Sequence, residues 1–364
     1  MRALLLLAAL TATAPAQWTL QQSPTTADLR GIDNVGNGIA WASGTNGTIL
    51  RTTDSGARWH LCTIPPNAEH LDFRGIQAFD ATTAIAMSSG TGDLSRLYKT
   101  TDACQTWKLL FTNPDKEGFW DAIKYVAGDE LVILGDSVHG KRDLWEWSGE
   151  DADKPHEMSM SGGRADEDEG SFAASNSVLE LRVFPRIDAS SKFELRWASG
   201  TSRHAYMNLV PLNCHCQNHP AIKRVDVPLH TGSPSSGIFS FDFRNSVTGM
   251  AVGGDYLKPN DATGTAAYTT DGGQQWQPAT TPPHGFRSAV AYDAPTKTWI
   301  TVGPNGTDIS TDDGRNWRAL EPSPGEAPDS AQHWNALSLP YAVGPHGRIG
   351  ILNPSAIKPA NKTP

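Results

Sequence analysis

Positive charge is scarce in this sequence and is not clustered. The 364 residues include 30 Lys and Arg against 39 Asp and Glu, which gives a formal net charge of −9. Proteins that attach to nucleic acids or to anionic membrane surfaces present clustered basic side chains. We therefore expect no nucleic-acid partner and no general membrane-surface binding.

Long hydrophobic runs are missing beyond the first residues. Arg2 precedes an apolar run from Ala3 to Leu10, which is too short to cross a bilayer, and Ala14-Pro15-Ala16 matches a small-x-small cleavage pattern. We predict a signal peptide over residues 1–16, a periplasmic or secreted mature chain, and no integral membrane segment after cleavage. A buried N-terminal helix is the alternative.

Cysteine is also rare, with four residues in the chain. Export permits disulfides, and a Cys62–Cys104 bond would join neighbouring repeats, although the sequence leaves this pairing open. Cys214, Cys216 and His219 are soft metal ligands close together, but one residue between the cysteines is short for a zinc hairpin. We expect no metal and no cofactor, and keep this cluster as the minor alternative to an oxidised turn.

Sequence signatures of the common α/β enzymes are absent. There is no G-x-G-x-x-G between a strand and a helix, and no G-x-S-x-G elbow. Helix-forming runs are scarce, whereas Gly (34), Pro (25) and Trp (12) are plentiful. This composition favours an all-β fold and argues against a dinucleotide-dependent oxidoreductase.

A short motif, T-x-D-x-G-x-x-W, recurs along the chain. It occurs at residues 52–59, 269–276 and 310–317, and at 100–107 with Cys104 in the glycine position. The Asp carboxylate can accept hydrogen bonds from backbone N–H groups of a tight turn, and the Trp brings a large apolar surface to the next strand. We predict structural roles for Asp54, Trp59, Asp102, Trp107, Asp271, Trp276, Asp312 and Trp317.

A second pattern precedes each of these turns. Seven strand openings, such as Phe73-Arg74-Gly75-Ile76, are each followed by a short apolar strand, and tight turns such as Asn46-Gly47 and Asn305-Gly306 follow several of them. Each unit has four strands, so we predict a seven-bladed β-propeller of antiparallel blades over residues 17–354, followed by a C-terminal tail at 355–364.

The seventh unit lacks its last strand. Trp18-Thr19-Leu20 resembles Trp59-His60-Leu61, the strand that follows the first Asp-containing turn. We predict that the N-terminal segment supplies the outer strand of the seventh blade, which closes the ring and removes an exposed sheet edge.

The middle of the chain departs from the repeat. Residues 149–170 are an acidic insertion that includes Asp166-Glu167-Asp168-Glu169, and we expect a solvated loop there. Calcium binding is the alternative, but the acidic residues do not have the spacing of a ligand loop. The fourth unit has no Asp-containing turn.

The repeats resemble those of bacterial Asp-box (neuraminidase-type) proteins related to the photosystem II stability and assembly factor. Phe73-Arg74-Gly75, residues 251–259 and residues 302–312 carry the resemblance, which is weakest between about 140 and 236. The resemblance implies a seven-bladed propeller that acts as a binding or assembly platform.

Ligands of propellers bind where loops of many blades converge, and we expect this at the mouth formed by the starts of the innermost strands. Arginines with aromatic neighbours suit a carboxylate or another anion; the alternative is that they bond carbonyls and acids between blades. The predicted ligand-binding residues are Arg30, Arg74, Arg287, Trp120, Trp334, Asp255, Tyr256 and Lys258, with Phe239 beside them.

We predict a monomeric, non-catalytic platform that binds a protein, a peptide or an anionic carbohydrate. The alternative is a sialidase-like glycoside hydrolase that acts on acidic sugars, because those enzymes share Asp boxes. A sialidase needs a Tyr nucleophile paired with Glu. Tyr206 and Tyr256 have no evident Glu partner in the sequence, and the F-R-I-P signature is missing.

Overall fold

Seven four-stranded antiparallel sheets make up the molecule. The computed structural model describes residues 17–126, 130–148, 155–158, 165–166, 168–184, 192–213, 221–322 and 326–357. Successive sheets contact each other through their inner strands, and the first sheet contacts the seventh, so the sheets close into a ring. The predicted seven-bladed propeller is confirmed.

The first strand, β1 (Trp18–Leu20), precedes the first complete blade. Each of the following blades runs from its innermost to its outermost strand in chain order. Blade 1 contains β2 (Leu29–Gly36), β3 (Ile39–Gly44), β4 (Ile49–Thr52) and β5 (His60–Leu61). Blade 2 contains β6 (Phe73–Ala78), β7 (Ala84–Ser88), β8 (Arg96–Thr100) and β9 (Lys108–Thr112).

The third to sixth blades repeat this order. Blade 3 contains β10 (Trp120–Val126), β11 (Glu130–Val138), β12 (Lys141–Ser148) and β13 (His156–Glu157). Blade 4 contains β14 (Leu179–Phe184), β15 (Lys192–Gly200), β16 (Ala205–Asn213) and β17 (Lys223–Asp226). Blade 5 contains β18 (Ser236–Phe243), β19 (Gly249–Asp255), β20 (Ala266–Thr269) and β21 (Gln277–Pro278). Blade 6 contains β22 (Ala289–Asp293), β23 (Thr298–Gly303), β24 (Gly306–Ser310) and β25 (Arg318–Ala319).

Blade 7 is built from both ends of the chain. It contains β26 (Ala336–Ser338), β27 (Tyr341–Val343) and β28 (Ile349–Leu352), and its outer strand is β1. Trp18 pairs with Leu352, and its indole packs 5.0 Å from Trp334. The predicted closure by the N-terminal strand is therefore confirmed.

Helices are short. A 3-10 turn spans Gly92–Leu94, and α1 covers Pro354–Ile357. Within the described residues, no helix is long and apolar enough to cross a membrane.

Blades 1 and 2 are also joined covalently. Cys62, which follows β5, forms a disulfide with Cys104 in the turn after β8. The pairing that the sequence left open is therefore present. Cys104 stands where the other repeats have glycine, and it adopts a positive φ of 62° there.

Candidate binding site at the propeller mouth

The mouth is built from a β-bulge that several innermost strands share. The pairing register shifts near the start of β2, β6, β10 and β18. A bulge leaves one residue unpaired and re-aims its side chain. The residues skipped by the register are Arg30, Arg74, Asp121 and Phe239, and all four line one cavity at the mouth.

Blades 6 and 7 place Ser288 and Asn335 at the corresponding position. The N–H of Ser288 bonds Val302, and the N–H of Asn335 bonds Val343, in each case on the next strand of the same blade. Both residues line the cavity. The mouth is therefore a ring of side chains contributed by one structural position of the repeat.

The residue before each bulge is buried instead. Leu29, Arg287 and Trp334 occupy this position, and each donates its backbone N–H to a glycine carbonyl of the preceding blade: Gly344, Gly253 and Gly303 respectively. Along these strands, the residue before the bulge therefore belongs to the core and the next residue belongs to the mouth. The buried set is Leu29, Phe73, Trp120, Ile238, Arg287 and Trp334.

A small residue follows each bulge because neighbouring blades approach closely there. A Cβ atom at Gly31 would lie 2.6 Å from Ser43 Oγ and 2.9 Å from the Arg74 carbonyl oxygen. The corresponding residues of the other blades are Gly75, Ala122, Ser240, Ala289 and Ala336.

The cavity has a volume of about 560 Å³, within the range of small-molecule and peptide-end sites. Its wall combines arginines, carboxyl groups and aromatic rings. The lining residues are Arg30, Arg74, Phe119, Asp121, Asp136, Ser171, Phe172, Ala173, Ala174, Pro234, Phe239, Tyr256, Phe286, Ser288, Pro304, Trp334 and Asn335.

The two mouth arginines share one acidic partner. Arg74 Nε donates to Asp72 at 2.8 Å, whereas Arg30 Nε lies 4.0 Å from the other oxygen of that carboxylate. Arg30 Nε is buried and has no hydrogen-bond partner among the described residues. That nitrogen is closed to a ligand, but the Arg30 side chain as a whole is 32% exposed and lines the cavity, so an anion in the cavity could reach its exposed part.

Two carboxyl groups lie close together in the same wall. Burial raises the pKa of Asp121 well above its usual range, and the neighbouring carboxylates of Asp136 and Asp143 raise it further. Burial also raises the pKa of Asp136, which accepts the Ser171 N–H at 2.8 Å. Asp121 therefore keeps its proton at a pH where exposed aspartates are ionised, which limits the repulsion of an incoming anion.

Residues 171–177 lie across the central channel and form the floor of the cavity. Asn176 accepts the N–H of Ile123 in blade 3, Ser177 Oγ bonds Ser240 Oγ in blade 5, and Ser175 Oγ bonds the Ser288 carbonyl in blade 6. The fourth of the seven predicted strand openings is Ser171-Phe172-Ala173-Ala174, but the innermost strand of blade 4, β14, begins at Leu179. The residues before it instead bond to blades 3, 5 and 6 below the mouth.

Arg287 does not lie at the mouth, which corrects the predicted cluster of three arginines. Its side chain is fully buried and is absent from the cavity wall. Its Nε donates to Asp308 at 2.8 Å, and His284 Nδ1 lies 2.9 Å from the same carboxylate. The register of blade 6 places Arg287 at the core position.

Two predicted tryptophans are also core residues. Trp120 is fully buried, and its ring stacks on Phe111 at 5.7 Å, outside the cavity wall. Trp334 borders the cavity but exposes none of its surface, because it packs between Trp18 and Arg348. Phe239 lies in the cavity wall, where the sequence placed it.

The last three predicted site residues lie at or near the loop after β19, and only one of them lines the cavity. Tyr256 lines the cavity and is 50% exposed. Asp255 is buried and accepts hydrogen bonds from Ser235 Oγ at 2.7 Å and Leu257 N at 3.0 Å, so it holds the loop in place. Lys258 pairs with Asp255 at 3.3 Å and does not line the cavity.

Sequence reasoning missed several lining residues. Asp121, Ser288 and Asn335 lie one residue after the positions chosen in their blades. Each of these three residues is followed by an alanine, and that small residue is the sequence feature that accompanies the mouth position. No glutamate occurs among the described lining residues, so Tyr256 has no sialidase-type Glu partner in this wall.

The four Asp-containing turns share one hydrogen-bond pattern. Asp102 Oδ1 accepts the backbone N–H of Thr106 at 3.0 Å, and the Thr106 hydroxyl bonds its other oxygen at 2.6 Å. These bonds lower the pKa of Asp102 to about 2. Corresponding backbone N–H bonds reach Asp54, Asp271 and Asp312. The paired tryptophans are buried: Trp59, Trp107, Trp276 and Trp317.

Part of the acidic insertion is packed rather than solvated. Glu169 is buried and bonds Arg224 at 2.5 Å, Arg142 at 3.4 Å and Ser199 at 2.8 Å. Cys214, Cys216 and His219 lie outside the described residues. Among the residues that are described, no group of three His, Cys, Asp or Glu side chains is arranged to hold a metal ion.

Comparison with known proteins identifies similar folds only. No family model and no curated protein sequence matches the chain. Its structural neighbours include chains of YCF48, the photosystem II assembly factor. A structure described as YCF48 bound to D1 peptide has a TM-score of 0.60 at 15% identity, and covers 92% of this chain and 96% of that one. YCF48 from Cyanidioschyzon merolae has a TM-score of 0.57 at 14% identity, with 93% and 99% covered.

Proposed function

We propose that this propeller is a non-catalytic platform that binds the carboxylate end of a protein or peptide at its mouth. The observation that carries the proposal is the pair Arg30 and Arg74, whose side chains line the cavity, stay about one third exposed and share a single carboxylate, Asp72. Two guanidinium groups exceed the charge of that one carboxylate, and a ligand carboxylate would supply a further partner.

The comparison with solved structures of similar fold also supports a peptide ligand. A neighbour of similar fold is described as bound to a peptide, and it covers most of this chain. A peptide terminus fits the cavity because it combines one carboxylate with a narrow, extended chain. An acidic sugar remains the competing anionic ligand.

We also propose that the chain acts as a monomer after export, in the periplasm or outside the cell. The Cys62–Cys104 disulfide supports this location, because disulfides persist in oxidising compartments. The predicted signal peptide itself lies outside the described residues.

The test is an array of hexapeptides displayed with free C-terminal carboxylates, together with an identical array of C-terminal amides. We expect binding to the carboxylate array alone. For the strongest binder, Arg30→Gln should raise the dissociation constant about tenfold or more, because a charge-assisted hydrogen bond is lost. The matched control is Arg58→Gln, since Arg58 is exposed in an Asp-containing turn.

Binding that survives both amidation and Arg30→Gln would contradict the proposal. If the protein binds neither array but binds sialosides or uronic acids, the acidic-sugar alternative takes its place, and a hydrolysis assay would then distinguish a binder from an enzyme.

A further inference from the structure

A second part of the cavity wall is aromatic. Phe172 and Phe239 stack with ring centroids 3.8 Å apart, and Phe286 meets Phe239 edge-on at 4.6 Å. Tyr256 approaches Phe239 at 6.1 Å. These four rings, here called the aromatic corner, come from four separate places in the chain and converge at one side chain, Phe239.

The aromatic corner has a buried base and an exposed edge. Phe239 and Phe286 are buried, whereas Tyr256 is half exposed. The backbone around Tyr256 is fixed: its own N–H bonds the Ser235 carbonyl, and Asp255 accepts the next N–H. An exposed aromatic ring on a fixed loop offers apolar surface to a ligand at little entropic cost.

The aromatic corner adjoins the arginines. Arg74 Nη1 donates to the carbonyl of Ala173 at 3.2 Å, and Ala173 directly follows Phe172. Ser171, on the other side of Phe172, is held by Asp136. The floor segment therefore joins the cationic and the aromatic parts of the wall within three consecutive residues.

We infer that the mouth selects peptides whose C-terminal residue has an apolar or aromatic side chain, which packs in the aromatic corner while its carboxylate meets Arg30 and Arg74. The inference rests on the proposed function and adds the class of side chain to it. The occupant follows from charge complementarity: the wall pairs guanidinium groups with apolar rings, and a C-terminal Leu or Phe pairs a carboxylate with an apolar group.

The experiment measures dissociation constants by fluorescence anisotropy for one peptide whose last residue is Gly, Ala, Lys, Leu or Phe, each with a free carboxylate. We expect Leu and Phe to bind about tenfold more tightly than Gly. Tyr256→Ala should reduce that preference about fivefold, and Tyr256→Phe should retain it, because the ring supplies the contact.

Leu257→Ala is the matched control. Leu257 is the next residue, is 69% exposed and does not line the cavity, so its loss should leave the preference unchanged. Equal binding of the Gly and Leu peptides, or a preference that Tyr256→Ala leaves intact, would overturn the inference while the proposed function stands. If no free-carboxylate peptide binds, the proposed function fails with it.

Discussion

Arg74 and Arg287 both follow a phenylalanine at the start of a blade, yet their environments differ. Arg74 is the bulged residue of β6 and lines the mouth, whereas Arg287 lies one position earlier in the repeat and is buried. The residues that follow explain the difference. Arg74 is followed by Gly75 and Ile76, while Arg287 has Ser288 before its small residue, Ala289. One residue of register therefore separates a ligand-facing arginine from a structural one.

Asp308, the ion-pair partner of Arg287, also sets blade 6 apart from blades 1 and 2. Asp308 lies two residues before Ser310, which opens the Asp-containing turn of blade 6. At the same distance from their turns, blades 1 and 2 have Leu50 and Tyr98, both buried. Asp308 and the buried Arg287 therefore occur together in blade 6. In blades 1 and 2, the positions of this pair are filled by buried residues without charge.

The variant Arg287→Met is the strongest test of the difference between the two arginines. The change leaves Asp308 buried with His284 as its remaining charged partner, and we expect a loss of about 3 kcal/mol in the free energy of unfolding, measured in urea. The double variant Arg287→Met/Asp308→Leu should recover most of that loss, because it restores the apolar pair of blade 1.

Arg74→Met is the matched control for that experiment. Its partly exposed ion pair with Asp72 should contribute less than about 1 kcal/mol. If Arg74→Met destabilises the protein as much as Arg287→Met does, the assignment of one arginine to the mouth and the other to the core is wrong.

A smaller effect concerns pH. Burial raises the pKa of Asp121, and burial raises that of Asp143 to about 6. A carboxyl group whose pKa is raised by folding holds a proton that the unfolded chain releases, so stability falls as pH rises from the ordinary value of 3.8 through the folded pKa. Asp121→Asn should therefore stabilise the protein at pH 8 by about 1 kcal/mol and by less at pH 5.

Thermal unfolding of the wild type and Asp121→Asn at both pH values checks this sign. A variant that melts below the wild type at pH 8 would mean that the Asp121 carboxylate is ionised and supported in the folded protein.

Much of the fold follows from local repeats in the sequence. The Asp-containing turns and their tryptophans mark blades 1, 2, 5 and 6, and Trp18-Thr19-Leu20 matches the strand missing from blade 7. The residues of the mouth are harder to predict from the sequence, because a bulge changes which of two adjacent residues faces the cavity. Phe-Arg pairs predict the correct residue in blade 2 and the wrong one in blade 6. The small residue that follows does not decide between them, because Ser288 and Ala289 in blade 6 are both small.

The floor of the cavity could not be predicted in this way. Ser171-Phe172-Ala173-Ala174 resembles a strand opening, yet its hydrogen bonds reach blades 2 and 3 and the ring of Phe172 packs on blade 5. The next residue, Ser175, bonds to blade 6. Such contacts depend on the closed ring and have no local signature. The buried Glu169 is similar, since its arginine partners lie on other strands of blades 3 and 4.

The most direct test of this account is a set of melting curves with and without the tightest-binding free-carboxylate peptide. The proteins are the wild type, Arg30→Gln/Arg74→Gln and Arg287→Met. Peptide at a hundred times its dissociation constant should add about 2.7 kcal/mol of stability to the wild type. We predict that Arg287→Met melts lower but keeps this ligand shift, and that the double variant loses it. A double variant that keeps the shift, or a folded Arg287→Met protein that loses it, would contradict the assignment of the mouth.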